Sequence, residues 1–435
     1  MLFLSSFVVS SFLLVASVPI GNTGSHKPRT IPDHHGDVPL ESLWAQFAPY
    51  TSAAPANKKY AVSSGCTINQ VNLVQRHGSR YPTPNQNNAI KTAVENVQKV
   101  LPGDTVPEFK FLHAFDYPIK TDDAGNLTEI GKKESFESGQ LQYSRYKHLM
   151  TGKSIFVHSS SIHRVQKSAE QWIEGVQTAK GWAQGDRIQS PKIIEKQPDE
   201  EAAAVVKTTY VNPWKKIYLP PIREALDKTL KVKLTNEDVY GLMFMCPFHT
   251  SMIREGDTSS KKLSPFCKIF TVDQFKDFAW QGALDKYYIG KSKYPSEYEL
   301  SPLGYTKNLR TRLETSKESD IKFYADFSHD NEMAGIFNVL GLFRQKEDLS
   351  HEKRDDSSTY KVSRIVPFGT RMVVERLTCT SKPSGSKGKR SGGSIKDDSK
   401  EFVRVLVNDD VQPLEWCHGA KDGLCEVKEF IKGPK

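Results

Sequence analysis

"VNLVQRHGSRYPT" (residues 71–83) decides how the rest of the chain is read. It opens on the alternating apolar residues of a core strand, then places Arg76, His77 and Arg80 within five positions. Two arginines cannot relieve their repulsion by losing a proton, because a guanidinium stays charged in proteins. An anion supplied from outside the chain is the simplest resolution.

Working outward, strand-like runs lie at 67–75, 154–158, 321–327, 364–378 and 402–407. Helical patterns fall between them, at 87–100, 129–149, 164–180, 213–230 and 331–343. This rhythm with long crossovers predicts an α/β fold, a mainly parallel sheet with helices on both faces. From about 190 to 318 there are several helical patterns and no convincing strand. The expected division is therefore an α/β domain from 40–190 and 319–435, with 191–318 as a smaller helical domain. "EFVRVLVNDDVQPL" (401–414) reads as a β-hairpin turning at Asn408-Asp409-Asp410. No internal repeat is present.

The N-terminus, "MLFLSSFVVSSFLLVASVPIG", has the length and small-residue end of a signal peptide, with cleavage expected after Ser17. It lacks the usual basic n-region, so retention as an anchor stays open, but the run is marginal for a membrane span. Secretion without stable membrane insertion is the expectation. Residues 18–39 read as a flexible leader, in which His34-His35 is a solvated pair rather than a metal site. Six cysteines (Cys66, Cys246, Cys267, Cys379, Cys417 and Cys425) lack zinc-like spacing and favour disulfides. Spacing alone suggests only Cys417–Cys425 and Cys246–Cys267. Asn126-Leu127-Thr128 is a glycosylation sequon, although Thr128 also suits the N-cap of the helix that follows.

The net charge of +9 raises the question of anionic partners. Much of it is local. Residues 382–400, a Gly/Ser-rich segment read as a flexible loop, hold Lys382, Lys387, Lys389, Arg390, Lys396 and Lys400 against Asp397 and Asp398. The remainder is modest, and no nucleic-acid-binding motif is present, so no nucleic acid is expected as a partner.

Ligands of open α/β sheets bind beyond the carboxyl ends of the strands. Three such ends carry ionisable residues: Arg76-His77-Gly78-Ser79-Arg80, "VHSSSIHR" leading to Arg164, and Ser328-His329-Asp330. Parallel strands of one sheet would bring them to one edge. Guanidinium forks match phosphate oxygens, so Arg76, Arg80 and Arg164 could hold one phosphate group. Like charges should depress the pKa of His77 and keep it neutral, as a nucleophile must be. It could then attack phosphorus, with Asp330 protonating the leaving oxygen. The arginines would balance the charge of the transferring group, so neither metal nor cofactor is required. Each part has a plainer reading: His329-Asp330 could be a helix start with Asp330 as N-cap, and Arg164 an ordinary surface residue.

"RHGSRYP" resembles the R-H-G-x-R-x-P signature of the histidine acid phosphatases, and His329-Asp330 in "DFSHDNEM" resembles their second signature. The similarity is greatest to fungal phytase-like members and extends over about 40–431. It includes "LWAQFAPY", "LTEIGKKESFESGQLQYSRY", "HRVQKSAEQWIEGVQ", "LTNEDVYGLMFMC", "LSPFCKIFT", "VPFGTR" and "LVNDDVQPLEWC", in the family's order. The resemblance implies a phosphoglycerate-mutase-like α/β domain plus a smaller helical one. It implies His77 as nucleophile, Asp330 as proton donor, Arg76, Arg80, Arg164 and His329 as phosphate ligands, and Gln46 in an outer pocket. It also implies the disulfides Cys66–Cys379, Cys246–Cys267 and Cys417–Cys425. Two bridges common in fungal phytases are absent, which predicts lower thermal stability than in a five-bridge relative. The implied activity is that of an acid phosphomonoesterase acting on phytate or lower inositol phosphates, and a monomer is the default expectation.

Three departures bear on substrate choice. His163 precedes Arg164 where an acidic residue is common, "YPTPNQNNAIK" (81–91) is nearly neutral where lysines are common, and Phe47 replaces a tyrosine. They leave a broad-specificity acid phosphatase as the alternative. A non-catalytic phospho-ligand-binding protein has no use for Asp330, and a mutase needs a shield against water that the sequence does not reveal.

Overall fold

A computed structural model of the chain describes residues 39–53, 62–181, 188–195, 200–255, 257, 260–293, 298–380, 399–418 and 423–434. The expected signal peptide, the His34-His35 pair and nearly all of the leader and of the basic 382–400 loop lie outside the described residues.

In chain order the elements are β1 (Cys66–Arg76), α1 (Pro84–Val100), α2 (Glu129–Tyr146), β2 (Ile155–Ser160), α3 (His163–Lys180) and β3 (Lys192–Ile194). Five helices follow: α4 (Glu200–Val206), α5 (Asn212–Leu230), α6 (Asn236–Ile253), α7 (Val272–Gly290) and α8 (Pro302–Glu314). The chain then returns through β4 (Phe323–Ser328), α9 (Asp330–Val339), α10 (Val362–Ile365), β5 (Arg371–Cys379), β6 (Lys400–Val407), β7 (Asp410–Val411), β8 (Leu424–Glu426) and α11 (Val427–Lys432).

The strands form one sheet in the order β3-β2-β4-β1-β5-β6-β7, with β8 also pairing with β6. β1 is central. It pairs parallel with β4 and antiparallel with β5. The β2–β3 and β2–β4 pairings are parallel, whereas β5, β6, β7 and β8 pair antiparallel. The mostly parallel expectation holds for β1 to β4. Beyond β5 the sheet is antiparallel, and among the described residues no helix lies between β5 and β7. Asn408 and Asp409 instead turn β6 directly into β7, both at positive φ (49° and 71°).

Strand alternation feeds two apolar layers. Val71 and Leu73 pack on one face with Trp172, Phe323 and Phe327, under α2 and α3. Val74 and Val374 face the other way and join Met333, Ile336, Leu242 and Leu284 of α9, α6 and α7. Helices thus cover both faces.

Three expected spans change. The run 364–378 is a strand only from Arg371, since residues 362–365 form α10, Pro367 has no N–H to give, and Gly369 has φ 65°. The stretch after 190 does hold a strand: Lys192–Ile194 extends the sheet beside β2, too short to show a period. The helix expected at 331–343 closes at Val339, ahead of Gly341 with φ 69°.

The six cysteines form Cys66–Cys379, Cys246–Cys267 and Cys417–Cys425. The first joins directly opposed residues of β1 and β5.

Candidate active site

Register builds the site. Arg76 lies opposite Ser328, and Ser159 opposite Phe327, so β1, β4 and β2 end level with one another. Their next residues, His77, His329-Asp330 and the segment leading to Arg164, therefore meet at one edge. Thr370 and the loop before β5 reach the same edge, where Thr370 O accepts the Arg76 N–H.

The 77–80 loop is held at every turn. His77 N–H donates to Ser328 O at 3.2 Å, and Gly369 N–H to His77 O at 3.0 Å. Ser79 O accepts the Thr128 N–H at 3.0 Å, and Arg80 bridges Leu127. This clamp presses the loop onto the start of α2. A Cβ on Gly78 would lie 2.2 Å from Gly131 O, and one on Gly131 would lie 1.9 Å from Ser79 O. Glycine at both positions follows from that close backbone approach.

His77 is 1% exposed, and its Nδ1 lies 2.8 Å from Gly78 O. A carbonyl can only accept, so Nδ1 carries the proton of the neutral ring and Nε2 is the bare nitrogen. Burial depresses the His77 pKa well below the usual histidine range, and Arg164, Arg76, Arg80 and His329 add to this in that order. Desolvation is thus the largest single cause, with the like-charge repulsion expected from sequence adding to it.

Arg76 is fully buried and donates from Nη1 to the carbonyls of Gln46 (2.6 Å) and Val366 (2.8 Å). Its Cζ sits 4.5 Å from the centre of the Phe368 ring, whose face also lies 5.8 Å from Arg80 Cζ. Arg80 donates to Tyr81 O at 2.8 Å; burial, then Arg164 and Arg76, bring its pKa down to about 9, so it stays charged in acid. Among the described residues, Arg76 Nε and Nη2, Arg80 Nε and Arg164 Nε are buried without a hydrogen-bond partner. Four buried cationic donors in one place are costly unless an anion accepts from them.

Arg164 Nη2 lies 3.4 Å from His329 Nδ1. A guanidinium only donates, so His329 carries its proton on Nε2 and donates it to Ser160 Oγ at 3.2 Å. His329 occupies the N-cap position of α9, and Asp330 is its first residue. The Asp330 side chain makes no cap. It meets Lys286 Nζ at 2.9 Å and Arg76 Nη2 at 3.5 Å while remaining 20% exposed. Burial raises its pKa, but Lys286 and Arg76 outweigh this and hold it well below the usual carboxylate range.

Lys286, 5% exposed on α7, was not legible as a site residue. Its ammonium also meets Asp285 at 3.0 Å and Asn331 Oδ1 at 2.7 Å. The available hint was a lysine among apolar neighbours in "GALDKYYIG" (282–290). Phe368, Ser160 and Ser168 were missed as well, since nothing local distinguishes them. Gln46 stands beside this cluster, its Nε2 3.4 Å from Asp285 Oδ2. Phe47 packs against Phe244 and Phe368 in an apolar cluster. His163 is exposed and meets Asn126 Oδ1 at 3.2 Å, and Thr128 caps α2 by accepting the Gly131 N–H.

The profile of the histidine phosphatase superfamily (branch 2) matches residues 67–408. Phytase A of Arthroderma benhamiae is 32% identical over 430 residues, covering 90% of this chain and 89% of its own. Phytase A of Aspergillus fumigatus is 31% identical over 476 residues, covering 98% and 96%. Among solved structures, the phytase from D. castellii superposes with a TM-score of 0.72 at 19% identity, covering 90% of this chain and 85% of its own. The Bifidobacterium longum multiple inositol polyphosphate phosphatase in complex with inositol hexasulfate gives 0.63 at 14% identity, covering 89% and 96%. These two show the shared fold. The chain belongs to branch 2 of the histidine phosphatase superfamily.

Proposed function

We propose that the protein is a secreted, monomeric acid phosphomonoesterase whose substrate is phytate or a lower inositol phosphate. The observation that carries the phosphatase reading is the set of buried guanidinium donors without hydrogen bonds around His77, whose Nε2 is the bare nitrogen. The phytase relatives support the substrate class. Three disulfides fit an oxidising, extracellular setting, and Asn126 is the proposed glycosylation site.

The step follows from the site. His77 Nε2 attacks phosphorus and forms an N–P bond as the ester P–O bond breaks, and Asp330 gives its proton to the leaving oxygen. Arg76, Arg80 and Arg164, with His329, hold the phosphoryl oxygens. Water then attacks phosphorus and yields its proton to the Asp330 carboxylate. The N–P bond breaks and inorganic phosphate leaves. Because Asp330 is held ionised without substrate, it takes up its proton when the negatively charged ester enters.

A second reading, a phosphatase of broad specificity, is favoured by Lys286. All three of its N–H donors are engaged by Asp285, Asp330 and Asn331, leaving none for an outer phosphate.

The test is phosphate release from phytate and from an aryl phosphate, from pH about 3 to 7 with a chelator present, beside a His77→Ala control. Higher kcat/KM on phytate supports the first reading. Activity confined to the aryl ester supports the second. No His77-dependent release from either, in folded protein, refutes both.

A further inference from the structure

One carboxylate beside the phosphate loop has no part in the chemistry above. Glu134, on α2, accepts the Ser79 N–H on Oε2 at 2.7 Å and the Ser79 hydroxyl on Oε1 at 3.0 Å. Oε1 also lies 3.4 Å from the Tyr50 N–H. Opposite it, Ser168 Oγ accepts the Gly78 N–H at 3.1 Å and donates to Arg164 O at 2.9 Å. The two N–H groups that follow His77 are therefore turned toward side chains of α2 and α3. In many phosphate-binding loops such groups face the anion. Here phosphate binding falls to side chains, and the loop backbone is fixed from both sides. Glu134 also acts at a distance, since its charge helps keep Arg76 protonated against burial and Arg164.

We infer that Glu134 is a positioning residue for the reaction. It sets the 77–80 loop so that His77 and Arg80 converge on one phosphate, and its charge offsets part of the guanidinium repulsion when no ester is bound. This rests on the phosphatase reading. The chemistry needs such a device: a displacement of about 1 Å in a reacting group can cost about 10²-fold in rate, and Arg76, Arg80 and Arg164 push one another apart.

The test compares Glu134→Gln and Glu134→Ala in the full chain, on an ester the wild type hydrolyses, reading kcat, KM and the inhibition constant of inorganic phosphate. Glutamine keeps an oxygen for the Ser79 N–H and removes the charge; alanine removes both. Alanine should lower kcat about 10²-fold. Glutamine should stay within about fivefold of wild type in kcat and bind inorganic phosphate more tightly, because an anion no longer faces a carboxylate. An alanine variant with wild-type kcat overturns the inference, as does a glutamine variant as impaired as alanine. If the alanine protein does not fold, Glu134→Asp decides, because it keeps the charge but withdraws it from the Ser79 N–H. A loss of about tenfold or more in kcat supports the inference, and an unchanged kcat overturns it. Failure of the phosphatase reading is separately visible as an inactive wild type. In that case inorganic phosphate affinity of the aspartate variant, which keeps the charge, is the readout: about tenfold weaker binding supports the loop-setting role, and unchanged affinity overturns it.

Discussion

Replacing Lys286 by methionine should move the basic limb of the kcat–pH profile upward. Lys286 Nζ lies 2.9 Å from Asp330 Oδ2 and is the largest influence lowering that carboxyl's pKa. At an effective dielectric near 20, unit charges at this distance interact by at most about 6 kcal/mol. Asp285 shares the ammonium at 3.0 Å, and Arg76 remains 3.5 Å from Asp330, so only part of this is released and the basic limb should move up by about one pH unit or more. The sign follows from the role. A proton donor works below its pKa, and raising the pKa extends activity to higher pH. The acid limb, set by His77, should move far less. The assay is kcat on a single ester at half-unit intervals, with the melting temperature confirming a folded variant. Loss of orientation could lower the plateau without altering the position of the limb. A basic limb that stays within about 0.3 unit of wild type, or moves down, would refute the electrostatic coupling of Lys286 to Asp330.

Gly131→Ala places a methyl group 1.9 Å from Ser79 O, so backbone must move. The expected cost is about 1–3 kcal/mol in stability and about 10²-fold in kcat, read from urea unfolding and steady-state rates. Removing the Cys66–Cys379 bridge, which spans 313 residues, with the double serine variant should cost about 2–5 kcal/mol. A change below about 1 kcal/mol in urea unfolding would mean that β1–β5 pairing alone holds that edge. His249 is held by burial, then by Lys262, at a folded pKa of about 4, against about 6.5 unfolded. The unfolded chain therefore binds the proton first, and stability declines as pH falls from about 6.5 through about 4. His249→Gln should match wild type near pH 7 and gain on it toward pH 4; parallel unfolding curves at both pH values would contradict this.

The order of residues along the chain was enough to bring the candidate groups together. Arg76, His77, Arg80, Arg164, His329 and Asp330 follow runs that read as strands, and strand ends in a parallel sheet collect at one edge by geometry alone. The hairpin at 408–409 was legible for a similar reason, since a turn is a local event with local residue preferences. The antiparallel half of the sheet was not, because strand direction depends on which edge the chain returns to. The short strand Lys192–Ile194 was not either, since three residues carry no period and gain their pairing only from β2. Lys286 and Glu134 lie 209 and 57 positions from His77 on separate helices, Lys286 reaching Asp330 and Glu134 reaching Ser79. Apart from the apolar neighbours of Lys286, nothing in the sequence around them marks those contacts. The sequence determined which groups could meet a phosphate. Tertiary packing decided how they are aimed and charged, because desolvation and ion-pair geometry arise only once distant helices close around them.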